Sequence, residues 1–296
     1  MRIPFDTLIG ALKMGASSLH EGAAPVRVAV LVDAGASRQQ AEWLRDALVP
    51  QTVSALVRVA AIRDANPEIK PDTDLAIVLA GTSGMLEDAV RSVLVAGVPC
   101  VVVAESSVEA PFACGDAPML GLVASQDRTS LLQGLAHWVV ARSDKRTAFA
   151  AAFPFMRVAA ASRAVRSASL TNLATGALVF VPGADFPAMT LVQAGMLLEL
   201  ASIFGKPMRP ERAYELAVVG CCALALRGAA RAASRALPRW SLAIKALVGG
   251  AGTLGIGRAL CAFYERDFDY SRLNEVVGGA FSRVRDLTSS VPTPTV

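Results

Sequence analysis

The stretch PVRVAVLVDAGASRQQAEWLRDAL, residues 25–48, decides the fold class. Residues 26–32 form a valine-rich, almost wholly apolar run. A run of this kind suits a strand covered on both faces. After Asp33-Ala34-Gly35 the apolar positions change from adjacent to helical spacing, which predicts a helix over 37–48. Strand, tight turn and helix in this order form the opening half of a parallel crossover unit.

The same alternation continues outward. A second strand is expected over 55–62 and a third over 75–80, followed by a helix over 86–96. A fourth strand is expected over 99–104, and a fifth over 120–124, followed by a helix over 130–141. Residues 22–142 are therefore expected to form an α/β domain with a doubly wound, mostly parallel sheet of five to six strands and right-handed crossovers. From Ala148 onward strand signals fade and helical periodicity takes over. The second unit is expected to be an α-helical domain over 148–288, followed by a flexible Thr/Pro-rich tail over 289–296.

Composition removes several classes of protein. The 296 residues are 53% hydrophobic and 18% charged, which excludes intrinsic disorder. Five cysteines and two histidines are too few for a disulfide scaffold or a convincing zinc site, so no metal is expected. Asp6, Gly10 and Lys13 interrupt the N-terminus, which argues against a secretory signal. Phe5, Leu8, Ile9 and Leu12 fall at helical spacing, so 1–21 reads as an amphipathic helix, docked on the protein itself or on a membrane surface.

Charge is unevenly distributed. Residues 1–139 carry a net −5, 140–235 a net +7 and 236–296 a net +2. Arg227, Arg231 and Arg235 recur every four residues and share one helix face. That face reads either as an ordinary solvated surface or as an interaction surface for anionic lipid or an acidic partner. Nucleic acid is not expected, because few aromatics accompany the basic segments.

In a doubly wound sheet, ligands bind beyond the carboxyl ends of the strands. A phosphate-binding loop after the first strand needs a lysine to reach the β- and γ-phosphates. No lysine occurs between Lys13 and Lys70. The order of elements resembles a small GTPase domain, but the motifs of one are missing. The chain contains no Asp-x-x-Gly, and Glu105-Ser106-Ser107 follows the fourth strand where Asn-Lys-x-Asp would stand. The expectation is a degenerate, GTPase-like pseudo-enzyme. An unrelated flavodoxin-like sheet is the rival. Gly81, Thr82, Ser83 and Gly84 follow a strand and open a helix. They read either as a phosphate cradle or as a plain helix cap.

In the helical unit, Pro182, Gly183, Asp185 and Pro187 form a breaker between two helices. Gly250-Ala251-Gly252-Thr253-Leu254-Gly255 fits a dinucleotide fingerprint by spacing, yet a helical pattern precedes it where a strand is required. Close helix packing by Gly249, Gly252, Gly255 and Gly257 is the better reading. Cys221 and Cys222 are expected to be buried as small apolar residues. No nucleophile–base arrangement stands out, so no catalytic residue and no cofactor are expected.

The stretches NLATGALVFVPGADFPAMTLVQAGMLLELASIFGKP, ERAYELAVVGCCALALRGAARAASRALPRW and IKALVGGAGTLGIGRALCAFYE resemble the bacterial domain-of-unknown-function 697 family over about 170–266. Members of that family are often fused to Era-like GTPase domains or encoded beside them, and some are described as membrane proteins. The resemblance implies no chemistry.

The leading expectation is a non-catalytic interaction or scaffold protein, cytoplasmic and peripheral at the inner membrane. Its helical domain would engage a protein partner, a second copy or the membrane surface. The alternatives are a nucleotide-binding regulator with a noncanonical phosphate loop, and an integral membrane protein with a hairpin at 167–204.

Overall fold

The computed structural model describes residues 21–115, 117–178, 185–206 and 211–266. The expected helix over 1–21, the tail over 289–296, and Pro182 and Gly183 lie wholly or almost wholly outside the described residues.

Five parallel strands form one sheet: β1 (Val26–Val32), β2 (Ala55–Ala61), β3 (Leu75–Leu79), β4 (Cys100–Ala104) and β5 (Leu120–Ala124). Their order is β2-β1-β3-β4-β5. This is the order of flavodoxin-like doubly wound sheets, with the topological switch between β1 and β3. The register runs Val26↔Ala55 to Val32↔Ala61 on one side of β1, and Val28↔Leu75 to Val32↔Leu79 on the other. The expected strands are thus present to within a residue, and all pairings are parallel.

Alternation along the strands builds two cores. Val28, Val30, Leu75, Ile77, Leu79, Val101 and Val103 face one layer. Leu31, Ala76, Val78, Cys100 and Val102 face the other. The first layer holds α1 (Arg38–Ala47) and α3 (Arg128–Arg142), and the second holds α2 (Leu86–Val95). No helix lies between β2 and β3, so the second face of edge strand β2 is left bare and Leu56 is exposed.

The helices that follow are α4 (Arg146–Ala152), α5 (Arg157–Leu178), α6 (Asp185–Ile203), α7 (Glu211–Ala236) and α8 (Ser241–Glu265). Phe149, Phe153 and Met156 are fully buried and join the first sheet face to α5 and α6 in one continuous core. The expected division near 142–148 therefore falls inside shared packing. Lys145 fastens the same junction from below. Its Nζ donates to Asp74 Oδ1 at 2.7 Å and to the Pro25 carbonyl at 3.0 Å.

One expectation about a residue pair changes. Cys221 and Cys222 are exposed, because α7 is apolar around much of its circumference while only one side is covered. In addition, α6, the second arm of the expected 167–204 hairpin, is a core helix. Met196, Leu197, Leu198, Leu200, Ala201 and Ile203 are all buried along it. The apolar helices that face outward are α7 and α8.

Candidate functional site

The crest of the sheet is the first place to look, because the fold puts ligands there. The turn after β1 carries Asp33 and the turn after β3 carries Gly81–Gly84. The Asp33 side chain is 2% exposed. It accepts from the Ser83 backbone N–H at 3.3 Å and from the Ser83 hydroxyl. Thr82 N–H donates to the Ala34 carbonyl at 2.8 Å, and Met85 N–H donates to Ser83 Oγ at 3.2 Å.

Two amides of the candidate cradle, those of Thr82 and Ser83, are thus already used, and the buried Asp33 side chain faces the loop. A phosphate would have to displace Asp33 from these donors, and neither turn carries a lysine to offset its charge. Gly81 lies against this knot: a Cβ there would come within 2.9 Å of both Ala36 N and Asp33 Oδ2. Gly35, at φ +80°, adopts the left-handed turn that lets the first loop fold down onto Thr82. The switch-point crevice is closed by its own two loops. The cap reading is not met either: Met85 stands at the N-cap of α2 with no side-chain cap bond, and Ser83 Oγ reaches only the Met85 N–H. No cluster of three or more metal-binding side chains occurs among the described residues.

The second place is the pair α7–α8. Tyr214–Ala236 and Pro238–Glu265 are each long and apolar enough to cross a membrane, and only 6% and 17% of their most apolar windows is buried. Long apolar helices buried inside a protein also meet such a length test; here the low burial is the distinguishing feature. The base of the pair is pinned, since Tyr264 Oη donates to Glu215 Oε2 at 2.6 Å and both residues are buried.

The tip of the pair is different. Leu237, Trp240 and Leu242 are exposed around the connection between the helices, as are Arg231, Arg235 and Arg239. Arg227 and Lys245 are half-buried and line the same groove between the helices. The sequence-expected trio therefore divides: Arg231 and Arg235 point outward, whereas Arg227 turns into the groove. Arg239, Trp240 and Lys245 were not singled out by sequence. A signal was nevertheless present, because between Glu215 and Glu265 there are six cations and no acidic residue.

Gly250, Gly252 and Gly255 all lie within α8, so no strand precedes them as a dinucleotide loop requires. The glycines open close approaches instead. A Cβ on Gly249 would lie 3.0 Å from the Asn172 carbonyl, and one on Gly257 would lie 2.6 Å from Val165 Cγ2. A Cβ on Gly252 would meet Leu226, and Gly255 faces open space. Asp185 and Pro187 fall in the first turn of α6.

No protein-family model, curated protein or solved structure matches this chain.

Proposed function

We propose that this chain is a non-catalytic interaction protein, in which an α/β domain emptied of nucleotide chemistry carries a helical module that docks on an anionic membrane surface. The observation that carries this reading is the α7–α8 tip, where Arg231, Arg235, Arg239 and Trp240 stand exposed at the end of two outward-facing apolar helices. Tryptophan favours the membrane–water boundary. Each basic residue near an anionic leaflet contributes about 1 kcal/mol.

Charge also separates surface docking from full insertion. A hairpin that crossed the bilayer from a cytoplasmic α/β domain would place the arginine-bearing tip on the far side. That arrangement opposes the positive-inside bias. Docking by the tip keeps the cations on the cytoplasmic side. A degenerate GTPase-like ancestry and kinship with the domain-of-unknown-function 697 family belong to this reading as proposals. They rest on element order and on the stretches quoted for 170–266, and the docking function depends on neither. The closed crest and the lack of a lysine there support a non-enzymatic role over a nucleotide-binding one.

The test is co-sedimentation with vesicles. Binding is expected to equimolar phosphatidylglycerol and phosphatidylcholine, and not to phosphatidylcholine alone. Carbonate washing is expected to release the protein. The triple variant Arg231→Glu, Arg235→Glu, Arg239→Glu is expected to lose at least about 100-fold in affinity, from ~1 kcal/mol for each charge removed. Equal binding to neutral vesicles, or retention after carbonate, would overturn the reading.

A further inference from the structure

Beneath the tip, a groove runs between α6, α7 and α8. Met189, Ala223, Leu226 and Val248 make its walls apolar, and Arg227 and Lys245 add two cations. Its interior is small, about 50 Å³, enough for one small group. At its inner end lies Gln193, which is 3% exposed.

The hydrogen bonds behind Gln193 fix which way its amide points. Thr253 Oγ1 receives Asn172 Nδ2 at 2.8 Å and Gln193 Nε2 at 3.0 Å, and it donates to the Gly249 carbonyl at 2.7 Å. A hydroxyl has one donor and two acceptor positions, so Thr253 is fully used. Both amides must turn their N–H groups toward it, which leaves their carbonyl oxygens facing away. Gln193 Oε1 is buried and has no hydrogen-bond partner among the described residues. An acceptor left in that condition costs about 1–3 kcal/mol, which a ligand's donor group would recover.

The groove thus asks for an amphiphile with three features. It needs an apolar portion for the walls, an anion for Lys245, and a compact donor for Gln193. We propose that the groove binds a single anionic phospholipid of the phosphatidylglycerol type. The headgroup phosphate lies against Lys245, and a glycerol hydroxyl donates to Gln193 Oε1. Basic pockets between helices on the cytoplasmic side bind anionic headgroups by this chemistry.

Position along the helices agrees. At 1.5 Å rise per residue, Arg227 is about 15 Å from Leu237 along α7, and Lys245 is about 8 Å from Trp240 along α8. Lys245 therefore stands close to the headgroup layer of a bilayer under the tip, and Arg227 lies farther back. This inference rests on the docking reading, which it deepens from a charged surface to a selective site.

The experiment uses the full chain and calorimetric titration with dihexanoyl-phosphatidylglycerol kept below its micelle concentration, so that no bilayer is present. Saturable single-site binding is expected, with none for dihexanoyl-phosphatidylcholine. Gln193→Leu and Lys245→Gln are each expected to weaken binding by about tenfold. Gln193→Leu removes the unpaired acceptor together with the buried bond to Thr253, so its melting temperature is measured alongside, and Lys245→Gln at the half-buried groove wall separates loss of binding from loss of fold. No saturable binding, or binding unchanged in both variants, would overturn the proposal. So would displacement by inorganic phosphate alone, which would make a free anion the ligand. Vesicle binding without monomer binding would sink the groove and leave tip docking standing. Monomer binding without vesicle binding would do the reverse.

Discussion

Ser83 reaches across the topological switch point and donates its hydroxyl to the buried side chain of Asp33. In a ligand-binding sheet of this order, the space between these two turns belongs to the ligand. Here it belongs to the protein. Removing the hydroxyl leaves Asp33 with fewer donors in a site that water reaches poorly. Ser83→Ala is expected to lower stability by about 1–3 kcal/mol, measured as a shift in urea midpoint without a change in slope.

The same knot predicts indifference to nucleotides. Anything that binds only the folded state raises its melting temperature by mass action. GTP, GDP and ATP, each with magnesium at millimolar concentration, are expected to produce no thermal shift. A clear stabilisation by any of them would show that the crest opens, and would restore the nucleotide-regulator alternative.

Much of the α/β half is legible in the sequence because its signals are local. Nearly continuous apolar runs, rich in β-branched residues, mark β1, β3 and β4, and the change of period after Asp33 marks α1. The closed crevice is not legible, since it depends on Ser83 and Asp33 meeting across fifty residues. The helical half shows the opposite limit. Apolar composition does not distinguish α6, which is buried, from α7, which faces outward, because both are apolar around most of their circumference. Only tertiary packing shows that Cys221 and Cys222 lie on the uncovered side. The basic tip was partly visible as the Arg227, Arg231, Arg235 series. The helical turn that brings Arg239, Trp240 and Lys245 to the same end depends on the path after Pro238.

Glu199 offers a test by pH. Burial raises its carboxyl pKa above the ordinary 4.5, and Glu21 adds to this, while Arg146 and Arg163 partly oppose it. With a folded pKa above the unfolded one, the folded state holds the proton more tightly. Stability from this group is fully present below the unfolded value and is lost as pH rises through the folded value. Glu199→Gln is therefore expected to melt higher than wild type at neutral pH. The difference should close as pH falls below 4.5, the unperturbed value. A constant difference at all pH values would refute the assignment.

Thiol chemistry maps exposure directly. Cys100 is buried within β4, and burial pushes its pKa up to about 12. Cys261 is partly buried, and desolvation followed by the nearby Glu265 raises it to about 11. Cys114, Cys221 and Cys222 are exposed. A disulfide reagent on the native protein is expected to modify these three quickly, Cys261 slowly and Cys100 only after unfolding. Because Cys221 and Cys222 stand on α7 well back from the tip, anionic vesicles are expected to leave them reactive if docking is by the tip alone. Protection of both by vesicles would indicate that the whole outer face of the helix lies in lipid.

Two glycine substitutions should act in opposite directions, which tests how α5 and α8 meet. A Cβ on Gly176 would lie 2.8 Å from the Lys245 carbonyl and 2.9 Å from Ala246 Cα, both backbone atoms that cannot rotate away. Gly176→Ala must push α8 outward. The expected cost is about 1–3 kcal/mol, the usual range for overpacking. Gly255 lies on the exposed side of α8, with nothing within 4 Å of an added Cβ. Gly255→Ala removes only the conformational freedom of a mid-helix glycine and is expected to stabilise by up to about 1 kcal/mol. Displacing α8 also moves Lys245 and Gly249 relative to Gln193, so Gly176→Ala should weaken binding of the short-chain lipid, whereas Gly255→Ala should not. Equal effects of the two substitutions on both stability and lipid binding would mean that the close approach of α5 and α8 does not shape the groove.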